Sequence, residues 1–206
     1  LKTLWIIDLM ETLSTLSEPQ NNGLDRLTGK HVRLWPYAPG YYSRDLVYRL
    51  WRIIEDEKAI PLTFWGRFTV LSETPIETRG DLMDFARILA TTNGVLLIVT
   101  ETQTDALAGF IWFEEIVPKY KAMAGIFMRQ KYWGDPATEA GRLGERYAFE
   151  TLDLQSLWAI TPWQAAINYC KRIGFKPIAL LPDFALIKGR ERDVTFLRIT
   201  REEFNG

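Results

Sequence analysis

The chain has 206 residues, 47% hydrophobic and 25% charged, enough to bury one sizeable core without disulfide or metal staples. Its 25 Lys and Arg against 26 Asp and Glu give a net charge of −1, so no electrostatic field favours nucleic acid or an anionic membrane as partner. A single cysteine, Cys170, and a single histidine, His31, exclude an internal disulfide, a cysteine cluster and a two-histidine site, so no metal is expected. This cysteine usage is compatible with a reducing compartment, and a cytoplasmic location is expected.

Residues 1–16 are apolar but carry Asp8 and Glu11. They are too short and too interrupted to span a membrane and lack the basic lead of a signal peptide. They read as an amphipathic segment that docks on the domain, on a protein partner or on a second copy of the chain. Residues 17–23, with Pro19, Asn21 and Asn22, read as a linker. The expected organisation is therefore a docking segment and linker over 1–23 and one domain over 24–206. Eight tryptophans fit large core fillers and equally an interface.

The domain opens with a strand over 31–36 closed by a turn over 36–40. Leu46, Leu50, Ile53 and Ile54 recur at helical spacing over 44–54, and Leu82, Phe85, Ile88 and Leu89 do so over 81–90. Residues 94–100, 106–117 and 122–128 read as three strands of a meander, the first two joined by a turn over 101–105. A helix over 136–152 places Ala140, Leu143, Gly144, Tyr147 and Thr151 on one face, with Glu139, Arg142, Arg146 and Glu150 on the other. A strand over 156–161 follows. Next comes a helix begun by Pro162 and ended by Gly174, with Ala166, Tyr169, Cys170 and Ile173 as its stripe. Strands over 178–186 and 193–199, joined by a turn over 188–190, close the chain. The crossover helix requires strands 122–128 and 156–161 to run parallel. The expected class is α/β (α+β), a mostly antiparallel sheet with one parallel pair and helices on its faces.

Several stretches resemble the GCN5-related N-acetyltransferase (GNAT) superfamily, in particular its ribosomal-protein-alanine acetyltransferase branch. The run Thr28–Gly29–Lys30–His31–Val32–Arg33–Leu34–Trp35–Pro36 is similar to that branch's opening strand. Tyr132–Trp133–Gly134 with Ala137–Thr138–Glu139–Ala140 resembles YWGKGYATEA, and Tyr147–Ala148–Phe149–Glu150 matches the YAFE that follows. Ile173–Gly174–Phe175 resembles the LGF after the last long helix, and Gly189–Arg190, Asp193 and 199–204 fit the closing turn and acidic tail. Together they cover about residues 28–204. The resemblance implies a splayed parallel strand pair, acetyl-CoA as cosubstrate, and acetyl transfer to a primary amine of a small molecule or a protein N-terminus.

The resemblance also implies site residues. The pantetheine arm would bond the backbone at Phe127 and Met128. The pyrophosphate would meet Arg129, Lys131, Trp133, Gly134, Ala137 and Thr138, at a helix start whose amides and dipole suit an anion. The family pattern is Gln or Arg, two residues, Gly, one residue, then Gly or Ala. Here Lys131 and Gly134 take the first two places and Pro136, which has no N–H, takes the third. Asp135 adds a carboxylate, and Asp135 then Pro136 reads as N-cap then N1. An amine nucleophile needs a base. Glu114 is the candidate, since strand 122–128 has no acid and Glu115, its neighbour, should face the other way. Tyr169 and Cys170 are candidates for the acid that protonates the departing thiolate, and both also fit core packing. The alternative reading is a GNAT-fold binding or structural subunit without transferase activity, favoured by Asp135, Pro136 and the tryptophan count.

Overall fold

The computed structural model describes residues 27–37, 44–57, 94–187 and 189–206. The segment 1–23 and the helix expected over 81–90 lie outside them. In chain order they form β1 (Val32–Tyr37), α1 (Arg44–Asp56), β2 (Val95–Glu101), β3 (Leu107–Val117), β4 (Lys121–Met128), α2 (Asp135–Arg146), β5 (Ser156–Thr161), α3 (Gln164–Arg172), β6 (Lys176–Ile187), β7 (Arg190–Thr200) and a short α4 (Arg201–Asn205). The strands lie where hydrophobic alternation and turn residues place them.

The sheet order is β1-β2-β3-β4-β5-β7-β6, and every neighbouring pair is antiparallel except β4 with β5. β2 is apolar along nearly its whole length because both of its faces are covered. On one face Leu97, Val99, Ile111 and Phe113 pack with Ala140 and Leu143 of α2 and with Cys170 and Ile173 of α3. On the other, Leu96, Ile98, Phe110 and Phe127 pack with Leu50, Trp51 and Ile54 of α1. Each Val, Leu, Ile or Phe side chain among them contributes about 1.5–3 kcal/mol on burial.

The helix boundaries refine three expectations. α2 begins on Gly134, not Asp135: Gly134 is the N-cap at φ 88° and ψ −129°, Asp135 is the first helical residue and Pro136 the second. Only glycine adopts that backbone readily, so the loop's geometry overrides the Asp-Pro signal. The expected run to 152 does continue, but its last turn, Tyr147–Thr151, widens to a π-turn in which Leu152 N–H reaches Tyr147 O at 3.1 Å. Pro162 stands before α3 without starting it, because Trp163 is the N-cap. Gly174 ends α3 as expected. Its φ is +107°, Gly174 N–H donates to Lys171 O at 3.2 Å and Phe175 N–H to Cys170 O at 2.9 Å, the paired bonds of a Schellman end.

Candidate active site

β4 and β5 pair only at Lys121 with Ser156, Ala122 with Leu157 and Met123 with Trp158. Beyond Met123 the two strands part. Arg129 N–H donates to Ala108 O of β3 at 2.9 Å, and successive amides of a strand alternate in direction. The N–H and C=O groups of Ile126 and Met128 therefore turn the other way, into the opening. The side chains of Phe127 and Met128 are buried in the α1-side and α2-side clusters respectively, so this pair can offer a ligand only backbone.

The loop that closes the opening is built from backbone too. Gly134 has open space where a Cβ would stand, so its glycine serves conformation rather than room. Thr138 donates both its N–H (3.0 Å) and Oγ1 (2.8 Å) to Gly134 O. The amides of Asp135 and Ala137 precede that first intrahelical bond, and such first-turn donors are the ones an anion uses. Lys131 is exposed, its ammonium 4.6 Å from the centre of the Tyr132 ring. Asp135 is exposed on the same turn. Trp133 lies over the mouth: it is 60% exposed, and its indole N–H donates to Met128 O at 3.0 Å.

The chain as a whole is similar in fold to solved acetyltransferases. Spermidine N-acetyltransferase from Vibrio cholerae, in complex with CoA and spermine, aligns over 86% of this chain and 100% of its own at TM-score 0.67 and 17% identity. A GCN5-related N-acetyltransferase from Brucella melitensis aligns over 87% and 80% at TM-score 0.65 and 19% identity. A probable GNAT-family acetyltransferase from Chromobacterium violaceum aligns over 93% and 98% at TM-score 0.63 and 20% identity. The fold is the GNAT fold. No family model matches the sequence, and no curated protein sequence does.

Within this GNAT frame the other candidates fall as follows. Glu114 is paired in register with Met123, the last β4 residue before the split, and lies half-buried on the same face as Trp112, whose indole N–H is 3.4 Å from Glu114 Oε1. Glu115 does turn away into solvent, though through a bulge at φ 51° rather than simple alternation. Tyr169 and Cys170 lie under α2. The Tyr169 hydroxyl donates to Ala137 O at 2.9 Å, and burial holds its pKa well above the usual phenol value. Burial pushes the Cys170 thiol up to about 12, which leaves it protonated and unreactive at neutral pH. Among the described residues no three His, Cys, Asp or Glu side chains converge on a metal position.

Two acidic residues that the sequence did not single out hold this site together, and a third is buried on the same helix as one of them. Glu57, just past α1, takes the Gln130 N–H at 3.1 Å and faces Arg129 Nε at 3.4 Å, so the guanidinium expected at the pyrophosphate is tied to α1. Glu139 accepts the N–H groups of Lys30, His31 and Val32 at 2.7, 2.6 and 3.0 Å, and a Cβ on Gly29 would collide with its carboxylate. That nest binds the turn before β1 to the helix that opens the loop. Glu145, on the same helix, is 2% exposed. Burial raises its pKa to about 8, outweighing the attraction of Arg142, whose guanidinium is 3.3 Å away but 46% exposed. Glu139 sits on a helix whose sequence reads as amphipathic, and its partners 107 to 109 positions earlier are not signalled by local spacing, whereas Arg142 and Glu145 pair at helical i,i+3 spacing.

Proposed function

We propose that this protein is an acetyl-CoA-dependent N-acetyltransferase acting on a primary amine, either a small molecule or a protein N-terminus. The observation that carries this reading is the split: one strand pair released from Ala124 onward, with Met128 C=O turned into the gap above a glycine-capped helix start. Acetyl-CoA fits that arrangement through the backbone of Ile126 and Met128 and through the first-turn amides of α2. In this reading Lys131 offsets the charge of Asp135 at the pyrophosphate. Glu114, at the floor of the split, takes the amine proton through water, and the amine nitrogen attacks the thioester carbonyl. As the C–S bond breaks, Tyr169, whose hydroxyl sits at Ala137 of the loop helix, returns a proton to the thiolate.

The ribosomal-protein-alanine branch suggests a protein N-terminus, whereas the Vibrio cholerae neighbour is a polyamine enzyme; both are primary amines. A cytoplasmic location and a docking role for residues 1–16 belong to the same proposal. Among the described residues no helix is long and apolar enough to cross a membrane. The test is calorimetric titration of acetyl-CoA into the full chain, followed by thiol-release assays with a panel of primary amines. Micromolar binding and amine-dependent thiol release support the reading, and no binding to the native chain overturns it. Glu114→Gln should lower kcat/KM by about 10²-fold with little change in acetyl-CoA binding.

A further inference from the structure

Strand β6 lies at the sheet edge and is exposed where edge strands are usually blunted by charge. Ile178, Leu180, Phe184 and Leu186 are 42%, 58%, 52% and 56% exposed. β5 ends where Thr161 pairs with Thr195, so the distal parts of β6 and β7 project beyond it as a two-stranded arm. Leu180 stands opposite Thr195 and Leu186 opposite Glu191, which puts both leucines on one face together with Asp193. The opposite face of the arm buries Ala185, Ile187 and Val194. The leucine face runs on into a shallow groove against α3, lined by Ile167, Lys171, Ile178 and Leu180.

This strip therefore carries exposed leucines at either end, is basic at the α3 end through Lys171 and acidic along the arm through Asp193 and Glu191, while Arg190 and Arg192 fall on the opposite face. Such a polarity is complementary to itself when reversed. About a twofold axis the basic end of one strip meets the acidic end of the other, while the leucines pack between them. Pro177 and Pro182 interrupt the β6 edge, which disfavours strand-to-strand addition and favours packing through the side-chain face.

We infer that the face formed by Leu180, Leu186 and the α3 groove is an isologous interface for a second copy of this chain, with Lys171 of each copy against Glu191 and Asp193 of the other. The inference is independent of the catalytic reading. Sedimentation equilibrium on the full chain tests it, with near-UV circular dichroism to confirm folding of every variant. The native chain should be a dimer. The double variant Leu180→Asp, Leu186→Asp should be a folded monomer. Lys171→Glu should raise the dimer dissociation constant by roughly tenfold, and Lys171→Glu with Glu191→Lys should recover most of that loss. A native monomer, a dimer indifferent to the leucine pair, or a charge reversal that does not recover the affinity overturns the inference. So does a dimer that persists in the leucine variant and is lost only when residues 1–16 are removed.

Discussion

β5 has two neighbours and pairs with them differently. Along β7 all six residues are paired, from Ser156 with Thr200 to Thr161 with Thr195. Along β4 only three are paired, and the rest of that edge is released. The same six residues support a full ladder on one side, so the opening on the other is not weakness of β5. It is imposed from the β4 side. There Gly125 lets the Trp112 ring press against the strand, and a loop of six residues after Met128 carries the chain out to α2. The paired side gives rigidity and the released side gives backbone outside the strand ladder for a ligand, a division that places a binding site within a continuous core.

The strongest way to disturb that contrast is at Gly125. A Cβ there would overlap the indole of Trp112, a rigid group with its own contacts on both sides. Gly125→Ala should lower unfolding stability by about 3 kcal/mol in denaturant titrations, and adding Trp112→Ala should recover part of it. Equal stability of Gly125→Ala and the native chain would show that the ring moves freely and does not shape β4.

The helix that links the two strands offers a second test. Glu145 is held neutral in the fold and ionises in the unfolded chain near its ordinary 4.5. Between about 4.5 and about 8 the unfolded chain therefore holds fewer protons than the folded one, and stability falls as pH rises through that window. The loss should reach the order of 2–4 kcal/mol by pH 9. Glu145→Gln should flatten this dependence, measured as melting temperature against pH.

Smaller effects are expected at the loop, on the released side. Asp135→Lys with Pro136→Gly should tighten acetyl-CoA binding about tenfold to thirtyfold by calorimetry, since it adds a donor and replaces an anion with a cation. Asp135 is the first helical residue and not the N-cap, so the charge change should cost only about 0.5 kcal/mol of stability, the loss of an acid at a helix start. Smaller still, Trp133→Phe removes the N–H that occupies Met128 O and should tighten binding by about threefold. Weaker binding in that variant would mean that the indole contacts the ligand instead of competing with it.

Much of this architecture was legible in the sequence because it is local. The β-branched and leucine run 95–99, the PWQAAINYC stripe and Gly174 each carry a period or a backbone requirement that a few residues express. The parallel pairing followed from the length of the crossover alone. What could not be read depends on contacts across the chain: Glu139 reaches residues 107 to 109 positions earlier, and Glu57 holds a loop 73 positions later. The Asp-Pro pair at 135–136 is an instructive miss. Its local signal for a helix cap is sound, but the loop after β4 enters α2 through a glycine at positive φ, and that places the cap one residue earlier. The closing Thr200 and Glu203 show the opposite case, a capping box expressed locally and formed as such.

The central claim, that the released edge of β4 is where acetyl-CoA binds, is tested most directly by residue-resolved amide hydrogen exchange on the full chain with and without acetyl-CoA. The amides of Ile126 and Met128 point into the split, while those of Phe127 and Arg129 point to β3. Without ligand the first two should exchange faster than their neighbours, and saturating acetyl-CoA should slow them by about tenfold or more while leaving Phe127 and Arg129 little changed. Ile126 and Met128 amides that are already protected without ligand, or that are unaffected by acetyl-CoA bound elsewhere, would contradict it.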